Sequence, residues 1–203
     1  MENRKPILFE KYPKLEGNVP WTSLLTNVPT DVDRLQNLEQ ELGLETAKIF
    51  LNKDHHIYGG NKLRKFEFIF GKALKKDKKG IMTMGGVGTN HGLAAAIVCQ
   101  ELGLECNLFL FPQPLTWHVQ RSLLLYDHFG ANLHLGKNDV FTLLKMAFFR
   151  LFHPKQYFML PGGTPLFGFG TSLGTVGFIN AIFELKSQID KEIIPEPDEI
   201  FIA

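Results

Sequence analysis

Three glycine-rich segments carry most of the reactive and polar side chains that this chain groups together. The first is Tyr58-Gly59-Gly60-Asn61-Lys62-Leu63-Arg64-Lys65-Phe66-Glu67. Its two glycines free the backbone for a tight turn, and Asn61 is of a type that caps helices. Lys62 then falls in the first helical turn. The positive pole of a helix disfavours an ammonium there, and burial acts in the same direction. A lysine so placed is a candidate neutral amine nucleophile, able to form a Schiff base with a carbonyl compound. Read alone, a lysine is more commonly a solvated surface residue.

The second segment is Met84-Gly85-Gly86-Val87-Gly88-Thr89-Asn90-His91-Gly92. It lies between an expected strand and an expected helix, where backbone N–H groups converge on an anion or polar ligand. Thr89, Asn90 and His91 then sit at the helix start, at the strand ends where open α/β sheets bind ligands. The plainer reading is a Gly-rich turn capped by Thr89 or Asn90. The third segment, Pro161-Gly162-Gly163-Thr164-Pro165-Leu166-Phe167-Gly168-Phe169-Gly170, follows a strand and precedes a helix. Without context it is a hinge between domains.

The elements that must position these segments follow from periodicity. Four prolines, Pro6, Pro13, Pro20 and Pro29, break the first thirty residues. Thr30 is the expected N-cap of a helix carrying Leu35, Leu38 and Leu42, stopped by Gly43. Strands are expected at 47–51, 81–84, 106–111, 132–135, 157–160 and 199–203. Helices are expected at 62–75, 91–102, 119–129, 140–152 and 175–188, with Leu63, Phe66, Phe70 and Leu74 on one face of the first. Strands alternating with helices imply a parallel sheet.

Composition narrows the class. The 203 residues amount to one domain and a fraction, at roughly 150 residues per domain. Lys and Arg number 22 against 21 for Asp and Glu, so no global charge points to nucleic acid or an anionic membrane. The run Lys72, Lys75, Lys76, Lys78, Lys79 suits the negative pole of a helix, and no second basic segment supports a nucleic-acid role. Cys99 and Cys106 are too few for a disulfide framework and lack metal-ligand spacing. No signal peptide is visible at the start, and no apolar run is long enough for a spanning helix. A soluble, cytoplasmic protein is the expectation. Asp54-His55-His56 lacks the companion ligands of a metal site. Gly86-Val87-Gly88-Thr89-Asn90-His91-Gly92 is one residue too long for a dinucleotide fingerprint and no acid ends the next strand. A phosphate-binding G-x-x-x-x-G-K-[ST] is absent. No metal is expected.

Taken in order, Gly-Gly-Asn-Lys-x-Arg-Lys-x-Glu from Gly59, Gly-Gly-x-x-Thr-Asn-His from Gly85 and Pro-Gly-Gly-Thr-Pro-Leu-x-Gly from Pro161 form a set. It resembles the 1-aminocyclopropane-1-carboxylate deaminase and D-cysteine desulfhydrase branch of the fold-type II pyridoxal-phosphate enzymes, which are tryptophan synthase beta-like. Asn52-Lys53-Asp54 and the stretch from Gln120-Arg121-Ser122 to Phe129-Gly130-Ala131 match the family as well. The similarity runs from about Leu8 to Ala203.

The resemblance implies an α/β fold, a three-layer parallel-sheet PLP fold of type II. In it residues 63–160 are a complete small domain, residues 1–62 are part of a larger domain, and residues 161–203 begin its remainder, truncated here. It implies pyridoxal 5'-phosphate as cofactor, a small amino acid as substrate, and a homodimer for the complete protein. Ammonia and a 2-oxo acid are the implied products. Lys62 corresponds to the lysine that holds the cofactor and shuttles the substrate proton. Asn90 corresponds to the asparagine that hydrogen-bonds the ring's phenolic oxygen, with Asn61 beside the lysine. Thr89 and His91 occupy the substrate-carboxylate and catalytic corner. The family has serine where this chain has Thr89, and the extra methyl bears on substrate choice. The family's phosphate-cradling turn follows the strand that matches 199–203, and the chain ends before it. A truncated, inactive paralogue or a binding module of the same fold is the alternative expectation.

Overall fold

A computed structural model of the chain describes residues 4–26, 28–57, 59–160 and 172–201. The helices are α1 (Ile7–Lys11), α2 (Gln36–Glu41), α3 (Lys62–Lys75), α4 (Asn90–Glu101), α5 (Trp117–His128), α6 (Asp139–Phe152) and α7 (Leu173–Asp190). The strands are β1 (Val32–Arg34), β2 (Phe50–Asn52), β3 (Gly80–Gly86), β4 (Glu105–Phe111), β5 (Ala131–Leu135) and β6 (Gln156–Phe158).

Strands β3 to β6 form one parallel sheet in the order β5-β4-β3-β6. Its centre is β3, which pairs along its full length with β4, from Gly80 opposite Glu105 to Gly86 opposite Phe111. Every residue of β3 is buried, as expected of a parallel strand covered on both faces. The period of two sorts the side chains. Ile81, Cys106, Leu108 and Leu110 pack with Ala94, Ala95, Val98 and Tyr126 of α4 and α5. Met82, Met84 and Phe109 pack with Met146 of α6. These faces and helices make the three layers.

Helix α3 has neighbours on nearly all sides. Leu63, Phe66, Ile69, Phe70 and Ala73 join the core beneath α4, and full burial of each large one stabilises by about 1.5–3 kcal/mol. Phe68 packs with Leu8 and Phe9 of α1 and with Leu173, Val176 and Phe183 of α7. The expected single apolar face is therefore incomplete as a description, and Leu74, assigned to it, is exposed. Close approach of α7 depends on Gly177, where a Cβ would stand 2.0 Å from the carbonyl oxygen of Arg64.

Several expectations are corrected. Thr30 caps no helix: β1 intervenes, α2 begins at Gln36, and the Thr30 hydroxyl is buried among Asn52, Asp54 and Arg64. The strand expected at 47–51 is Phe50–Asn52. It pairs antiparallel with β1 in a separate, solvent-facing ribbon and has no place in the parallel sheet. Glu199 to Phe201 form no strand, and Phe201 is exposed; Ile202 and Ala203 lie outside the described residues. So does the third glycine-rich segment, together with Tyr58.

The bounds and stops of several helices agree with the structure. Helix α3 has the bounds read from the sequence, and Gly43, Gly103 and Gly130 take positive φ after their helices. Part of the lysine run ties down the end of α3: Lys75 donates to Gly17 O and Lys78 to Pro154 O. Among the described residues, no helix is long and apolar enough to cross a membrane and no cluster of ligands suits a metal ion.

Candidate active site

Two helix starts lie side by side at the carboxyl end of β3. Lys62 is the first residue of α3 and is half-buried. Gly59 and Gly60 before it both have positive φ, which a side chain would strain. The fit is close at Gly59, where a Cβ would lie 2.6 Å from Leu63 Cδ1 and 2.9 Å from Ala94 Cβ of α4. The lysine turn is thereby pressed onto the helix that carries the second segment. Asn61 holds the N-cap position, but its side chain makes no capping bond and is exposed.

Thr89 is the N-cap of α4, its hydroxyl accepting from Gly92 N at 3.4 Å. Asn90 is exposed and His91 is buried. The three adjacent residues thus divide between solvent and core. His91 Nε2 shares a 3.0 Å hydrogen bond with Thr83 Oγ1 of β3, and its ring meets Phe66 of α3 edge-on at 5.3 Å. Burial, together with the charges of Lys62 and Lys65, pushes its pKa down to about 4. His91 is therefore neutral at pH 7 and joins β3, α3 and α4.

The glycine turn is held from outside by residues to which the sequence reading assigned no role. Tyr126 of α5 donates its hydroxyl to Thr89 O at 2.8 Å. Burial pushes that phenol up to about 12, against the opposing hydrogen bond of Ser122. Gln113 Oε1 accepts from Gly88 N, and His118 Nε2 bonds Gly88 O, both at 3.0 Å. A Cβ at Gly85 would lie 2.8 Å from the Thr89 side chain, so the turn closes on its own cap only without one.

Behind Lys62 stands a buried ionic network. Arg64 is 1% exposed. It bonds both Asp54 oxygens, Glu184 Oε2 and Thr30 Oγ1 at 2.7–3.1 Å. Burial alone would lower its pKa, and the bonds and charges of Asp54 and Glu184 raise it instead. Glu67, one turn on, accepts from Arg4 and from the backbone N–H groups of Leu24 and Leu25. Asp54, set aside as part of a metal motif, is thus an anchor for α3. The signal for it was present: Arg64 stands two residues after Lys62, at a helix start that disfavours cations, and such a cation needs carboxylates from elsewhere in the chain.

This donor set suits a pyridoxal-phosphate ring. It offers a primary amine (Lys62), an exposed side-chain amide (Asn90), and two helix starts with no acidic residue in their first turns, where anions are favoured.

Comparison with known proteins follows the same lines. The family described as pyridoxal-phosphate dependent enzyme matches residues 24–203. A protein of Pyrococcus horikoshii bearing the name "Putative 1-aminocyclopropane-1-carboxylate deaminase" is 28% identical over 205 residues, covering 97% of this chain and 56% of its own. A D-cysteine desulfhydrase of Klebsiella pneumoniae is 27% identical over 200 residues, covering 90% of this chain and 54% of its own. A solved structure of an ACC deaminase homologue superposes with a TM-score of 0.72 at 26% identity, over 91% of this chain and 55% of that one. Diaminopropionate ammonia lyase of Escherichia coli, at 16% identity and a TM-score of 0.62, shares the fold. The chain spans about half the length of the curated relatives it matches.

Proposed function

This chain belongs to the family of pyridoxal-phosphate dependent enzymes, and on that premise we propose that it carries the lysine half of a lyase that deaminates a small amino acid. The substrate is of the 1-aminocyclopropane-1-carboxylate or D-cysteine type, and the products are ammonia and a 2-oxo acid. Relatives bearing both names support that class. On this reading residues 63–160 form the smaller domain, while residues 1–62 and 161–203 belong to the larger.

The observation that carries the proposal is the convergence of Lys62 and Asn90 at two neighbouring helix starts, with the intervening His91 buried and neutral. Lys62 would hold the cofactor through its Nζ and afterwards carry the substrate's proton on the same atom. Asn90 would donate its amide N–H to the ring's phenolic oxygen, with Asn61 beside the lysine turn. Thr89 would present its hydroxyl toward the substrate carboxylate. His91 would keep the floor of the site uncharged beneath the lysine. When bound, pyridoxal phosphate supplies an electron sink for the carbanion at the substrate's α-carbon.

The test is chemical labelling. The chain is incubated with pyridoxal phosphate, reduced with borohydride and digested, and the modified peptide is identified by mass spectrometry. The expected result is a label on Lys62 that disappears in Lys62→Ala. A label spread over surface lysines, or unchanged in that variant, overturns the assignment. Ammonia release from 1-aminocyclopropane-1-carboxylate against D-cysteine, measured on a full-length protein that carries this segment, then decides the substrate.

A further inference from the structure

Tyr126 of α5 is fully buried in the main core, and the chemistry proposed above makes no use of its hydroxyl. A buried hydroxyl needs a partner, and this one gives its proton to Thr89 O at 2.8 Å. The bond is one of three that the segment from Gln113 to Tyr126 makes with successive peptide units of the glycine turn. Gln113 Oε1 accepts from the N–H of the 87–88 unit, and His118 Nε2 donates to the carbonyl of the 88–89 unit. Tyr126 holds the carbonyl of the 89–90 unit. The fit is steric as well. A Cβ at Gly88 would stand 2.9 Å from Val119 Cγ2, and one at Gly86 would stand 2.2 Å from the carboxamide carbon of Gln113. The turn lies against α5 and the segment before it because these two positions lack side chains.

The third bond bears on the candidate site. The Thr89–Asn90 peptide is trans and planar, so fixing its carbonyl fixes its N–H in the opposite direction. Thr89 O accepts from Tyr126 and from Leu93 N of α4. The N–H of Asn90 therefore points out of the helix start, where the first donors have no partner within the helix. The same unit carries the Asn90 side chain, whose place relative to Lys62 depends on where that carbonyl is held. The Thr89 cap bond is long, at 3.4 Å, so the tyrosine makes the firmer tie. We infer that Tyr126 is a positioning residue of the site: through Thr89 O it sets the Thr89–Asn90 peptide, and with it the Asn90 amide, against Lys62. This role rests on the cofactor reading above. The ring of Tyr126 serves the fold, and its hydroxyl serves the turn.

Tyr126→Phe separates the two, since it keeps the ring and removes the hydroxyl. Without cofactor, hydrogen–deuterium exchange over residues 86–93 rises about three- to ten-fold in the variant, the scale of one hydrogen bond, while β3 and β4 exchange as in the parent. With pyridoxal phosphate, half-maximal borohydride labelling of Lys62 needs about three- to ten-fold more cofactor. The pH midpoint of the bound cofactor's visible absorption also rises, because its phenolic oxygen loses a donor to the charged form. Gln113→Ala, at an exposed position, keeps the core intact and moves exchange and labelling the same way by a smaller factor. A parent chain that leaves Lys62 unlabelled overturns the cofactor reading, and this role with it. A labelled parent matched by Tyr126→Phe in labelling and in titration overturns this role alone. So does a variant whose exchange rises equally across the core, since the hydroxyl would then serve the fold at large.

Discussion

Helices α3 and α6 are both fourteen residues long, and they invert each other's use of polarity. In α3 the buried residues include Arg64 and Glu67; in α6 the exposed ones include Phe148 and Leu151. The cause is the number of neighbours. Helix α3 is enclosed by α1, α7 and the core under α4, so its polar residues had to find partners within the chain. Helix α6 covers one face of the sheet with one stripe, and the opposite stripe has no neighbour among the described residues. Burial is a property of the surroundings rather than of the side chain. Lys62 sits at the boundary, half-buried at the start of α3.

Five measurements bear on that contrast, taken here in order of decreasing effect. Arg64→Ala leaves Asp54 and Glu184 without their cation. Breaking a buried ion pair by removing one partner costs about 3–5 kcal/mol, to be read from the urea midpoint. An unchanged midpoint would show that the network does not hold α3. His91 comes next. Its folded pKa lies at about 4, below the ~6.5 of an unfolded chain. As pH falls the unfolded state binds the proton first. The stability present above about pH 6.5 is therefore lost on the way down to about pH 4, by on the order of 3 kcal/mol. His91→Gln flattens that limb in urea titrations across the range, and parallel curves for the two proteins would refute the buried neutral state.

Gly177→Ala pushes a methyl onto the Arg64 carbonyl. Overpacking of this kind costs about 1–3 kcal/mol, visible as a lower Tm by calorimetry. Thr89→Ala removes the cap of α4. Such losses are typically ~1 kcal/mol, and the 3.4 Å bond places this one toward the lower part of the range. Last, Leu151→Ser on α6, at an exposed position, shifts the midpoint by less than about 0.5 kcal/mol. A large shift there would mean that the stripe is packed within its own chain, and the contrast with α3 would fail.

The lysine and asparagine of the candidate site were legible because local chemistry marks them. Gly59 and Gly60 announce a turn, Lys62 opens a strong helix-forming run, and Thr89 is a cap residue between a buried strand and an alanine-rich helix. The helix at 140–152 was likewise expected, though not which of its faces meets the sheet. Three things were not. Thr30 has the chemistry of a cap, and only the arrival of Asp54 and Arg64 around it made it a buried hydroxyl. The 47–51 segment reads as another strand of the sheet, and its pairing depends on β1, whose pattern is too short to read. Glu184, 120 residues from Arg64, gives no local sign of its partner.

The sequence by itself determined where helices α3 to α7 and the four strands of the parallel sheet run, and which turns carry the amine, the amide and the imidazole. These follow from backbone preferences and short-range periodicity, which act within a few residues. Only the tertiary structure decided that His91 is neutral and underneath, that Lys62 is half-open, and that Arg64 is enclosed. Those outcomes depend on which groups from distant segments share a low-dielectric volume, and that is set when α3, α4 and α7 pack together.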